Sequence, residues 1–188
     1  MSVLVFVESK GGNLVKAGLE AVSYGSKIGS TTVVTFGDID AGAAAVAGEY
    51  GASKVLVHRG LSEVNDQRLA KLIAAAADAA GADVVVVAQD QTGKAVGPRV
   101  AARMGAGHVS SAVALPDTSN GFVVKTNVFS GKAFANVAVN TAKKVISYMP
   151  NSIGAEKGGA ACGVEDFNAD LGDAGISVKE RKLQSGDV

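Results

Sequence analysis

Thr92-Gly93-Lys94 is the stretch with the most chemical potential, because it leaves the apolar run Val84-Val85-Val86-Val87 and carries a glycine beside a lysine. That pairing is the core of a phosphate-binding loop, where backbone N–H groups cradle the oxygens and the lysine neutralises them. The full loop needs a glycine five residues before Gly93 and a hydroxyl residue after Lys94. Ala88 and Ala95 stand there instead, so the first turn and the magnesium-binding hydroxyl are missing. Gly11-Gly12 follows the first apolar run and precedes a helical pattern, where a helix N-terminus receives phosphate, although such a pair also makes a plain βα turn. Gly11, Gly12, Thr92, Gly93 and Lys94 are therefore the candidate nucleotide-binding residues. Gly105-Ala106-Gly107 opens a dinucleotide fingerprint, but Ser110 replaces its third glycine and the segment runs from helix to strand, the reverse of the required order. It reads as a helix cap and loop.

Nothing else assembles into a catalytic or metal-binding set. His58 and His108 are the only histidines, far apart in the chain, and Cys162 is the only cysteine, so no metal-ligand spacing exists. His58 reads as a partly exposed residue at a strand end. Ser110 and Ser111 lack a nucleophile elbow, and Cys162 sits in a glycine-rich tail without an activating neighbour. The chain is expected to be non-catalytic. Arg99 and Arg103, at i,i+4 spacing, share one helix face, which is either solvated or an interface for an acidic partner. Pro98 is placed in the first turn of that helix, with Gly97 just before it.

The elements that position these residues alternate regularly. Val3–Val7, Thr32–Phe36, Lys54–His58, Val84–Ala88 and Val109–Leu115 read as strands, and the β-branched Val84–Val87 run describes one buried on both faces. Between them lie helical stripes: Leu14, Ala17, Gly18, Ala21, Gly25 and Ile28, small enough for close packing on a sheet; an alanine-rich Ala41–Tyr50; and Leu69, Leu72, Ile73 and Ala76. This alternation predicts an α/β fold of three layers, a mostly parallel sheet with helices on both faces. Phe122–Val128, Ala133–Asn140 and Lys144–Met149 read as three turn-linked strands, an antiparallel addition at one sheet edge near residues 121–149. Residues 1–150 form the expected α/β domain. Residues 151–188 are a more acidic tail with an edge strand expected over Ile176–Leu183 and a linker beginning at Gln184, beyond which the natural protein is expected to continue.

The 188 residues hold 18 basic and 18 acidic side chains, a balance that argues against a nucleic-acid binder relying on phosphate neutralisation. A lone cysteine forbids an intrachain disulfide, and no run approaches the roughly 20 apolar residues of a membrane span. No basic leader precedes Val3–Val7, which Glu8 and Lys10 end early, so a cytoplasmic location is expected.

Several of these segments together resemble a known family. Val84–Met104, with Thr92-Gly93-Lys94 and Pro98-Arg99-Val100-Ala101-Ala102-Arg103, is similar to the alpha subunit of electron transfer flavoproteins. So are Val3-Leu4-Val5-Phe6-Val7-Glu8, Gly51-Ala52-Ser53-Lys54-Val55 and the turn Phe129-Ser130-Gly131-Lys132-Ala133, over about residues 1–150 in order. The resemblance implies an amino-terminal domain of adenine-nucleotide-hydrolase-like fold that packs against a beta subunit. It also implies that FAD is held by a separate carboxyl-terminal domain of the full-length protein, with no cofactor in this part. The intact heterodimer would then shuttle electrons from dehydrogenases to an acceptor. Arg99, Arg103, Ser130, Gly131 and Lys132 become the candidate partner interface. The alternative is a stand-alone adenine-nucleotide-binding module or small enzyme of the same fold, using the two glycine loops.

Overall fold

The computed structural model describes residues 1–62, 64–173, 175–176 and 179–180. The strand expected over 176–183 lies outside them except for Ile176, Lys179 and Glu180, and the linker expected at 184–188 lies wholly outside. In chain order the elements are β1 (Ser2–Phe6), β2 (Ser9–Lys10), β3 (Asn13–Leu14), α1 (Lys16–Ser26), β4 (Ser30–Phe36) and α2 (Ala41–Ala45), which tightens into a 3₁₀ turn (Val46–Tyr50). Then follow β5 (Ala52–His58), α3 (Asp66–Ala79), β6 (Val84–Ala88), α4 (Gln91–Met104), β7 (Gly107–Ala112), β8 (Val123–Val128), β9 (Ala133–Ala138), β10 (Lys144–Tyr148) and β11 (Gly163–Asp166).

Val84, Val85, Val86 and Val87 are all fully buried, because β6 lies inside the sheet with helices on both sides. Side chains alternate across a strand, so Val84 and Val86 join the core under α1 and α2, whereas Val85 and Val87 join the core under α3 and α4. The small residues of α1 act as expected. A side chain at Gly25 would meet Val5 Cγ2 at 2.8 Å, and one at Gly18 would run into Val7. That close approach seats Tyr24 against Tyr148 with ring centroids 4.9 Å apart, both buried, and the Tyr24 hydroxyl donates to the Ala114 carbonyl at 3.0 Å.

The nine strands run in the order β11-β5-β4-β1-β6-β10-β7-β8-β9. All are parallel as far as β7; β8 then pairs antiparallel with β7, and β9 antiparallel with β8. The three-layer α/β architecture is therefore present, with one strand placed differently from expectation. Lys144–Tyr148 does not join the antiparallel edge; it returns to the middle and pairs in parallel with both β6 and β7. Its composition explains this: Val145, Ile146, Ser147 and Tyr148 are fully buried, as suits an interior parallel strand, while β9 is exposed at nearly every residue. The antiparallel addition is the β8–β9 hairpin alone.

Beyond β10 the chain crosses the α1 side of the sheet to its opposite edge. The Ser23 hydroxyl donates to the Glu156 carbonyl at 3.2 Å, Lys27 pairs with Glu156 at 2.6 Å, and the Gly158 and Gly159 N–H groups donate to the Glu49 carbonyl. β11 then pairs with β5, with Lys54–Glu165 and Arg59–Asp166 ion pairs alongside.

Candidate functional site

Strand order reverses between β1 and β6: β4 and β5 lie to one side, β10 and β7 to the other. In an open parallel sheet the crevice beyond the strand ends at such a point is where ligands dock. A cleft of about 480 Å³ opens there, lined by Glu8 and Lys10 after β1, Asp66 at the start of α3, and Asp90, Gln91 and Thr92 at the start of α4.

Two donors beside the cleft are already engaged by carboxylates. Asp90 caps α4, its Oδ1 accepting the Gly93 N–H at 2.8 Å, so the helix's positive end is met by the protein's own carboxylate. Thr92 Oγ1 donates to Glu8 Oε2 at 2.7 Å. Two donors that a phosphate would use are thus engaged, and three carboxylates face one ammonium across the opening. These residues do not fit the pyrophosphate of a dinucleotide. Gly93 is required by packing, since a Cβ there would collide with the Ala88 carbonyl.

Of the five loop candidates only Thr92 lines the cleft. Thr92, Gly93 and Lys94 form the first turn of α4, and Lys94 is exposed outside the opening. Gly11 and Gly12 do not sit at a helix N-terminus. They are the tip of the β2–β3 hairpin at φ of 58° and 74°, while α1 starts at Lys16. Two consecutive residues at positive φ match the two-residue turn that the right-handed twist of a hairpin favours. The signal was present in Ser9-Lys10-Gly11-Gly12-Asn13-Leu14, with Gly-Gly exactly filling the loop between two short extended pairs. Pro98 is likewise corrected: it is the eighth residue of α4, not in its first turn, because the Asp90 cap begins the helix at Gln91. Its exposed position leaves the interrupted backbone bond beside solvent.

The histidines serve structure. His58, expected partly exposed, is buried at the end of β5 with Nδ1 3.0 Å from the Phe167 carbonyl of the crossing segment. His108 Nε2 lies 2.9 Å from the hydroxyl of fully buried Ser147, in space left open by Gly97 of α4. Burial holds the His108 pKa below its ordinary 6.5. The unfolded chain therefore binds a proton at His108 more readily than the folded one. Stability is fully present above about pH 6.5 and declines as pH falls from there through the lower folded pKa. Thermal unfolding at pH 7.5 and 5.5 is expected to show this loss, and His108→Gln to reduce it; an unchanged pH dependence in the variant would remove His108 as its source. The half-buried Cys162 thiol is pushed up by desolvation, not activated. Among the described residues no cluster of three or more His, Cys, Asp or Glu side chains could hold a metal ion, and no helix is long and apolar enough to cross a membrane.

The interface candidates fall in two places. Arg99 and Arg103 are exposed on α4, and Arg99 Nη1 folds back to the Ala95 carbonyl at 3.1 Å. Neither has an ion-pair partner among the described residues. Ser130, Gly131 and Lys132 form the exposed tip of the β8–β9 hairpin, where Phe129, Ser130 and Gly131 all have φ between 54° and 79°. No hydrogen bond or ion pair among the described residues joins this tip to α4.

Comparison with known proteins adds two findings. The family model described as electron transfer flavoprotein domain matches residues 3–171. The chain is also similar to electron transfer flavoprotein subunit alpha of Bacillus subtilis (strain 168), at 27% identity over 192 residues that cover 98% of this chain and 59% of that protein. The chain thus spans about three fifths of the length of this relative.

Proposed function

Because the chain belongs to the electron transfer flavoprotein domain family, we propose that it is the scaffold and subunit-interaction domain of an alpha-type subunit and performs no catalysis itself. In the assembly it would pack against a beta subunit and orient a separate FAD-holding domain, through which electrons pass from dehydrogenases to an acceptor. FAD, when bound in such an assembly, supplies the redox chemistry, and these residues supply positioning. The observation that carries this reading is the cleft at the sheet's reversal point. The place where this architecture takes a nucleotide is lined by Glu8, Asp66 and Asp90, with Asp90 already occupying a donor of α4. The residues present do not fit FAD, so no step through it is assigned to this chain.

Calorimetric titration tests the reading. The chain is expected to bind a beta subunit of the same assembly and to purify without a flavin absorbance band; a yellow protein with one tightly held FAD per chain would overturn it. The nucleotide-module alternative predicts micromolar AMP or ATP binding that is lost in Gly12→Pro, whereas no heat of binding is expected here. Arg99→Glu is expected to weaken beta-subunit association about tenfold, since Arg99 is exposed and has no ion pair among the described residues, while the melting temperature stays within about one degree. An unchanged affinity would exclude the α4 face from the interface.

A further inference from the structure

Asn120-Gly121 is the one asparagine–glycine pair among the eight asparagines of the chain. It lies where the chain passes from β7 to β8, in the loop 118–122 closed by Asp117 and Val123. Those two residues exchange backbone hydrogen bonds of 2.8 and 2.9 Å. Within the loop the Ser119 N–H donates to Asp117 Oδ1 at 2.9 Å, and Gly121 takes φ of 95°, a conformation that a side chain opposes. Thr118, Ser119, Asn120 and Gly121 are all exposed. No atom beyond its chain neighbours lies within 4 Å of where a Cβ on Gly121 would stand. The Asn120 side-chain amide has no hydrogen-bond partner among the described residues.

This arrangement leaves an intrinsic reaction of asparagine unhindered. Water or hydroxide takes the Gly121 amide proton, and the nitrogen bonds to the Asn120 Cγ. The Cγ–Nδ2 bond breaks, ammonia leaves, and a five-membered succinimide remains. Water then opens the ring. Attack at Cγ gives aspartate, and attack at the main-chain carbonyl gives isoaspartate, whose backbone runs through the side-chain carbon. No oxidant or reductant is involved. Other asparagines are guarded against the first step. Asn127, Asn136 and Asn140 precede Val128, Val137 and Thr141, whose branched side chains crowd the attacking nitrogen. Asn65 is buried and caps α3. Asn151 precedes the small Ser152, but the Ser152 N–H is held by the Met149 carbonyl and the Asn151 N–H by Glu20 Oε2 at 2.7 Å.

We propose that Asn120-Gly121 is a site of spontaneous deamidation, and that its isoaspartate form makes the chain a substrate for a carboxyl methyltransferase selective for isoaspartate. Such an enzyme moves a methyl group from a sulfonium donor to the freed α-carboxylate oxygen, and the donor leaves as a thioether. The extra main-chain carbon lengthens the loop between Asp117 and Val123 and loosens their pairing at the entry to β8. The new carboxylate falls between Asp117 and Glu156, where the intervening chain holds four lysines and no acid, and it takes the protein from a net charge of zero to one negative charge.

Ageing the full chain at physiological temperature and pH, folded and in urea, tests the site by peptide mass spectrometry. Asn120→Gln is aged beside it, since glutamine would have to close a six-membered ring. Position 120 is expected to lose its amide about tenfold faster than any other asparagine of the folded chain, and within about threefold of its rate in urea, because an exposed loop reacts without opening the core. A purified isoaspartate-selective methyltransferase is expected to methylate the aged parent in proportion to its conversion, and Asn120→Gln to about a tenth of that or less. A folded chain that keeps Asn120 while the chain in urea loses it, or that converts Asn151 first, overturns the site. Conversion at 120 without methyl transfer means that the ring opens to aspartate alone and overturns the enzyme's part. Equal methyl transfer to Asn120→Gln places the isoaspartate elsewhere and overturns the proposal.

Discussion

Gly93→Ala is expected to cost about 3 kcal/mol of stability, near the upper end for overpacking a closed site. The added Cβ would fall on the Ala88 carbonyl at the end of β6, a rigid backbone atom of a fully enclosed strand, so no flexible side chain can yield. Relief requires the first turn of α4 to move away, which pulls Gly93 N–H from Asp90 and disturbs Thr92 against Glu8. For a chain of this size the melting temperature should fall by roughly 6–12 °C. Thr92→Val, which deletes one hydrogen bond and leaves the backbone in place, should cost about 1 kcal/mol. Chemical denaturation of both variants checks the ordering. Equal stabilities would mean that Gly93 is not held by close packing, and the account of why the Thr92-Gly93-Lys94 turn carries a glycine would fail.

Phe129→Ser combined with Phe134→Ser is expected to weaken association with the beta subunit about 100-fold, the size of effect that exposed aromatic anchors carry at an interface core. Both rings are more than half exposed in the chain alone, so their loss should move its stability by about 0.5 kcal/mol or less. The contrast between affinity and stability is the useful readout. If stability fell and affinity did not, the two rings would be packing residues of the hairpin and not a docking surface. The same pair of measurements separates this effect from that of Gly93, which acts on the fold at the end of β6, while the hairpin forms the sheet's β8–β9 edge.

The match between chain and fold is best where one local property governs the outcome. Val84–Val87 has no polar side chain to turn toward water, so it had to be a strand covered on both faces, and it is. The glycine and alanine stripe of α1 permits only close approach, which the contacts of Gly18 and Gly25 with Val7 and Val5 display. The family resemblance was legible for a related reason: it lay in several separated segments whose order the chain preserves, and the matching family model covers residues 3–171. The site was less legible. By sequence Gly11 and Gly12 read first as a plain βα turn and second as a phosphate loop, because a glycine pair reports conformational freedom and not what surrounds it. Their positive φ angles and the pairing of Ser9 with Leu14 resolve the choice in favour of a hairpin.

Residue order thus dictated the alternation of strands and helices, the valine-rich centre and the absence of a complete phosphate loop, all of which depend on neighbours a few positions apart. Spatial order was decided elsewhere. That Lys144–Tyr148 inserts between β6 and β7, that residues 163–166 close the far edge beside β5, and that Glu8 meets the Thr92 hydroxyl of α4 are outcomes of contacts between distant segments. Such contacts are chosen by which strand can be dehydrated on both faces and which carboxylate a folded backbone brings to a helix end. Those free energies arise only once the whole sheet has assembled.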